Sequence, residues 1–148
     1  MGAESVDTYS PEQAVEDGFA QLVTDLGNAD VKVTKAWDDW DTLKGKVVSV
    51  MCRASEPEIL GSGFTGNFTM TVEIAMRSHK GDVTGAQHAA LEAAVRPAFL
   101  VVDLPGLLNP RSPKAVIMRA VPRSFQRTAA GDWRVSTQAV ECYVAPQP

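Results

Sequence analysis

The chain has 148 residues, a mass of 15.9 kDa, 45% hydrophobic and 22% charged residues, which fits one domain able to bury a core without disulfide or metal staples. No apolar run approaches the roughly 18 residues needed to span a bilayer, and the opening MGAESVDTYSPEQ has neither the basic start nor the apolar stretch of a secretory signal. The chain is therefore expected to work where it is made, and a net charge of −4 with scattered Lys and Arg excludes the basic field that tight nucleic-acid binding requires.

Residues 1–9 are expected to be a flexible arm. The first element follows: Ser10 can cap a helix, Pro11 suits its first position, Gln13 completes a capping box, and Val15, Phe19, Leu22, Val23 and Leu26 recur at helical spacing up to Gly27. Gly18 costs that helix about 1 kcal/mol relative to Ala, so it must rely on docking its apolar stripe against a sheet.

A short strand is expected over Val31 to Lys35, followed by the loop AWDDWDTLKG. Asp38, Asp39 and Asp41 crowd together there, but the EF-hand order of ligands and its central glycine are missing, so no metal site is expected. Trp37 and Trp40 either fold back on the core or wait for a partner. The sequence leaves both open.

KVVSVMCRA, from Lys46 to Ala54, reads as a largely buried strand. GSGFTG, Gly61 to Gly66, then has the G-x-G-x-x-G spacing of a dinucleotide fingerprint, which needs a strand entering the glycines and a helix leaving them. Here a strand leaves, so the stretch from Ala54 to Asn67 reads as a flexible hairpin connection and no cofactor is expected. In NFTMTVEIAMRS, Phe68, Met70, Val72, Ile74 and Met76 alternate with Thr69, Thr71, Glu73 and Arg77, the period of an antiparallel strand with one face on a core.

A second helix starts at Thr84 with Gln87 as its box partner, and places His88, Leu91, Val95 and Phe99 on one side until Pro97 breaks it. DLPGLLNPRSP reads as an irregular connector. Two more strands are expected over Lys114 to Val121 and Trp133 to Val144, joined by the turn TAAGD, with Pro122 limiting the first to a partial place in the sheet and 145–148 as a tail.

No catalytic constellation emerges. His79 and His88 lack paired-ligand spacing, Ser62 lacks the G-x-S-x-G elbow, and Cys52 and Cys142 sit in apolar runs as buried free thiols.

The stretch from Val47 to Val144 carries a wider pattern. A strand ends in a small acidic loop before P-x-x-x-G-x-G, an alternating strand ends R-S-H, a short Asp-Thr turn follows, and Ala86, His88, Ala90, Leu91, Ala93, Ala94 and Val95 make an alanine-rich helix. With the closing GDWRVSTQAVECYV, this resembles the tail terminator or tail-completion proteins of long-tailed bacteriophages and prophages. Pro97 and the long proline-rich connector depart from the pattern.

The resemblance implies an α+β single domain over 1–148: a mainly antiparallel sheet of four to five strands with two main helices on one side. It implies a virion structural protein, not an enzyme, whose copies form a ring, hexameric in this family, at the head end of the tail tube. That ring would stop tube growth and dock to the head-tail connector or neck proteins, with DNA passing through its lumen without specific binding, and with assembly in the bacterial cytoplasm away from any membrane. Trp37, Asp38, Asp39, Trp40, Glu56, Glu58, Ile59, Leu60 and Phe64 are the candidate contacts, on the 37–41 loop and the Ser55 to Gly66 loop. Another neck protein of similar architecture is the main alternative; a non-viral interaction domain, or a small-molecule-binding domain or enzyme resting on GSGFTG, follows.

Overall fold

Alternation along the central strand decides how the molecule is layered. The computed structural model describes residues 10–40 and 43–146; the expected N-terminal arm, Asp41 and the last two residues lie outside them. In chain order the elements are α1 (Pro11–Asp25), β1 (Val31–Lys35), β2 (Lys46–Leu60), β3 (Gly63–His79), α2 (Gly85–Val95) with a 3-10 turn Arg96–Phe99, α3 (Leu104–Leu108) with a 3-10 turn Asn109–Arg111, β4 (Ala115–Ala130) and β5 (Trp133–Pro146). The strands form one sheet in the order β1-β2-β3-β5-β4. β1 lies parallel to β2, and the other three pairs are antiparallel.

Met70, Val72, Ile74 and Met76 of β3 are fully buried and share one core with Val15, Phe19 and Val23 of α1, Leu91 and Val95 of α2, and Leu104 and Leu108 of α3. All three helices thus cover one face of the sheet, as side chains two apart along a strand share a face. The rings of Phe19 and Phe99 stack at 5.7 Å in the middle of this layer, each contributing about 1.5–3 kcal/mol by burial.

Both main helices start where expected, though the box expected at Ser10 is present only in its Ser10 half. The Ser10 hydroxyl accepts the Gln13 N–H at 3.0 Å, and at Thr84 both halves of the capping box are present. Gly18 has a reason the sequence did not reveal: a methyl group there would run into the Oγ of buried Ser112, whose Cβ would stand only 3.0 Å away.

The opposite face carries a second, smaller cluster of Val47, Ala75, Trp133 and Val135, against which Trp40 and Leu43 pack. Parallel neighbours need a crossover to reconnect. The chain between β1 and β2 makes that connection, and from it Trp40 and Leu43 pack against the face the helices leave bare.

Four expectations need correction. The Ser55 to Gly66 stretch is not a loop: β2 and β3 stay paired up to Leu60 and Gly63, with bulges after Cys52 and Pro57, and only Gly61 and Ser62 turn. Beyond Val50 the ladder with β1 has ended, so β2 becomes an edge there and tolerates Pro57 and polar residues. DLPGLLNPRSP contains α3, capped by the Asp103 carboxylate accepting the Gly106 N–H at 3.1 Å, because Leu104 and Leu108 fall one turn apart and both bury. β4 runs on past Pro122 to Ala130 because it is an edge strand with a bulge between Pro122 and Phe125, which reduces the TAAGD turn to two residues. β5 reaches Pro146, two residues into the expected tail.

Candidate functional site

The glycine motif builds the tip of a projecting arm. Gly61 takes a φ of 58°, the left-handed value that a two-residue hairpin asks of its first turn residue and that a side chain resists. With a strand on both sides, no helix N-terminus faces the glycines, and the fingerprint geometry for a pyrophosphate is absent from this turn.

Around that turn Ile59, Leu60 and Phe64 are 58%, 65% and 53% exposed. Phe64 packs edge-on against Phe68 at 5.3 Å, so the tip is an ordered apolar surface. Glu58 braces its base: its carboxylate accepts from the Tyr143 hydroxyl at 2.6 Å and from Thr65 at 2.9 Å, and these bonds hold it below the usual carboxylate range. Asn67 donates to the same Tyr143 oxygen at 3.0 Å. Glu56, one face-repeat away, stays exposed and forms no salt bridge among the described residues.

The tryptophan loop splits in two. Trp40 stands edge-on to Trp133 at 5.3 Å, with the Arg77 guanidinium 4.0 Å above its ring. It folds back on the second cluster and is half-buried there. Trp37 is 93% exposed with a φ of 74°, unusual for a bulky residue. Asp38 enforces this by closing the turn twice: its carboxylate accepts the Lys35 N–H at 2.7 Å and its own N–H donates to the Lys35 carbonyl at 3.1 Å. Trp37 then overhangs a groove of about 530 Å³ lined by Glu12, Glu16, Lys35, Met51 and Arg53. Asp39 is exposed beside it; among the described residues no three acidic, His or Cys groups form a metal cluster.

His88 is the centre of a buried polar chain. Burial alone would raise the Glu92 carboxyl, but hydrogen bonds from Arg127 and Ser136 and the Arg127 charge outweigh it and hold the group below its ordinary value. A carboxylate only accepts, so Ser136 donates its hydroxyl to Glu92. The Ser136 oxygen then accepts from His88 Nε2 at 2.8 Å, which leaves Nδ1 to accept the Ser78 hydroxyl at 2.6 Å. Burial pushes the His88 imidazole below its usual value despite the nearby Glu92 charge. The order hydroxyl, imidazole, hydroxyl, carboxylate is not that of a nucleophilic triad, where the acid orients the imidazole directly, and Ser78 is wholly buried. An open cleft of about 350 Å³ lies beside the chain, with Arg127 and Arg134 on its walls; both are engaged, one with Glu92 and one with the Val83 carbonyl.

The remaining candidates are engaged within the fold. His79 stacks edge-on to Trp133 at 5.2 Å and accepts the Gly81 N–H at 3.3 Å. Cys52 and Cys142 are free thiols, Cys142 buried as expected and Cys52 only half-buried; the pKa of each is pushed up to about 12, first by burial, far from the thiolate a nucleophile needs.

Compared with protein-family models and with curated proteins, the sequence matches none of either.

One exposed surface escaped the sequence reading. Leu100, Val101 and Val102 between α2 and α3, and Leu107 on α3, are open to solvent, Val102 entirely so. The available signal was the run AFLVV, longer than one helical face can bury.

Proposed function

We propose that this chain is the subunit of a tail-terminator ring, which closes on the head end of a phage tail tube, ends its growth and offers its far side to the head-tail connector. The observation that carries this reading is the β2–β3 arm: three large apolar side chains held in solvent on an ordered hairpin beyond the core. Monomers seldom keep such a patch uncovered. Trp37 and the Val102 segment are further exposed apolar points on the same molecule, so one subunit carries several separate surfaces, as a protein with like neighbours on two sides and unlike ones above and below requires. The resemblance between Val47 and Val144 supplies the tube and connector as those unlike neighbours.

The test is tube polymerisation followed by negative-stain electron microscopy with and without this chain. The reading predicts shorter tubes of uniform length with a ring at one end. Tubes of unchanged length with bare ends would refute it.

A further inference from the structure

We infer that the subunits join side by side, the β2–β3 arm of one copy lying along the outer edge of β4 in the next, with Glu56 meeting Arg119. This rests on the ring reading above and names its contact.

The sheet leaves two edges open at the same level. Among the described residues the outer edge of β4 has no strand beside it over Ala115–Ala130, and β2 has none beside it from Met51 onward, where β1 has ended and only Glu16 and Glu12 of α1 reach Cys52 and Ser55 at the base of the arm. Following the register across the sheet, Glu56 pairs with Thr69, Thr69 with Tyr143 and Tyr143 with Arg119. The two charged residues thus stand in one lateral row, on one face, at opposite sides of the molecule. Copies related by rotation about an axis along the strands keep their heights, so the row of one continues into the row of the next. The strand directions agree as well: three antiparallel steps separate β2 from β4, so a side-by-side neighbour brings them together antiparallel.

Charge selects the same pairing. β4 carries Arg119, Arg123 and Arg127 and no acidic residue, whereas α1 carries Glu12, Glu16, Asp17 and Asp25 and no basic one. The start of α1 lies against the base of the arm, where Glu16 accepts the Cys52 N–H at 2.8 Å and Glu12 accepts the Ser55 hydroxyl at 2.6 Å. Arg123 and Arg127 are engaged within the chain by Glu141 and Glu92. Arg119, like Glu56, is exposed and in no salt bridge among the described residues. At the other end of the two edges Lys32 and Lys35 stand level with the Arg127 region, where Lys35 and Arg127 are already paired within the chain with Asp17 and Glu92, so the unpaired charges of the joint are those at the arm. Pro57 and Pro122 lack the N–H groups of a continuous ladder, so side chains make the joint: the ion pair, with Ile59, Leu60 and Met118 as its apolar flank.

The experiment uses the full chain with Glu56→Arg, Arg119→Glu, and an equimolar mixture of the two, followed by sedimentation and by ring counting on tubes. Both sites are exposed, and unchanged unfolding midpoints establish that the variants fold. Each reversal alone places like charges at every joint and is expected to weaken assembly by about tenfold or more. In the mixture every joint between unlike copies regains opposite charges, so assembly returns. Single variants that assemble like the wild type, or a mixture that fails to recover, would overturn this contact while leaving the ring reading in place. A wild-type chain that forms no ring alone or on tubes would remove the ring reading, and this contact with it.

Discussion

Ser78 on β3 and Glu92 on α2 are the two ends of one directed hydrogen-bond chain that runs through His88 and Ser136. The direction is fixed at the acid end, so His88 must be neutral with its proton on Nε2. Nitrogen shifts of the ring are expected to show that tautomer at neutral pH. A proton on Nδ1 would reverse the chain and contradict the assignment.

The pH dependence follows from the same residues. His88 has a folded pKa below its ordinary 6.5, so the unfolded chain takes up a proton that the folded one refuses. Its stabilising contribution is complete above about pH 6.5 and is lost as pH falls toward the folded value. Glu92, also lowered, adds a loss of the same sign further down; Glu16, raised by burial, works in the opposite sense. The difference between wild type and His88→Gln isolates the histidine. Between about pH 7.5 and about pH 5.5 the wild type is expected to lose more stability than the variant, as read from denaturant midpoints. Equal losses would show that the imidazole does not titrate as described.

Gly18→Ala separates helix propensity from packing. Propensity favours the alanine by about 1 kcal/mol. The methyl group, however, meets Ser112, which is wholly buried and tied to the Leu108 carbonyl at 2.9 Å, and such overpacking costs about 1–3 kcal/mol. A lower unfolding midpoint is expected; a higher one would mean that Ser112 moves aside freely.

The two tryptophans give opposite outcomes. Trp40→Ala removes the cover over Trp133 and the stacking partner of Arg77, and is expected to cost about 2 kcal/mol of stability. Trp37→Ala is expected to leave stability within about 0.5 kcal/mol of wild type and, if the ring reading holds, to weaken binding to tube or connector. Equal effects on stability would place both rings in the core.

Replacing Ile59, Leu60 and Phe64 together by serine tests the arm. The unfolding midpoint is expected to stay within about 1 kcal/mol of wild type, while incorporation into rings is abolished. Loss of the fold would show that the tip belongs to its own core.

The helices and the central strand were legible because their signals are local. Ser10, Thr84 and Gln87 cap where they stand, and Met70 to Met76 alternate because both neighbours of β3 hold it flat against the helices. The arm was not legible, since a strand without a core beneath it has no reason to alternate, and Ser55, Pro57 and Gly66 read as turn residues until β3 is seen to pair with them. Trp37 and Trp40 sit three residues apart in one polar loop, and only the crossover geometry separates their roles. α3 was hidden by three prolines, of which Pro105 sits in its first turn and Pro110 and Pro113 follow its end. The Glu56 and Arg119 relation spans 63 positions and appears only when the register of four strands is known.

The most direct measurement of the central claim is the number of copies of this chain per tail tube, taken by quantitative mass spectrometry on tubes of different lengths. A terminator ring predicts a fixed copy number per tube, whatever the tube's length. A copy number that rises with length would make the chain part of the tube wall, and a number near zero would take it off the tail altogether.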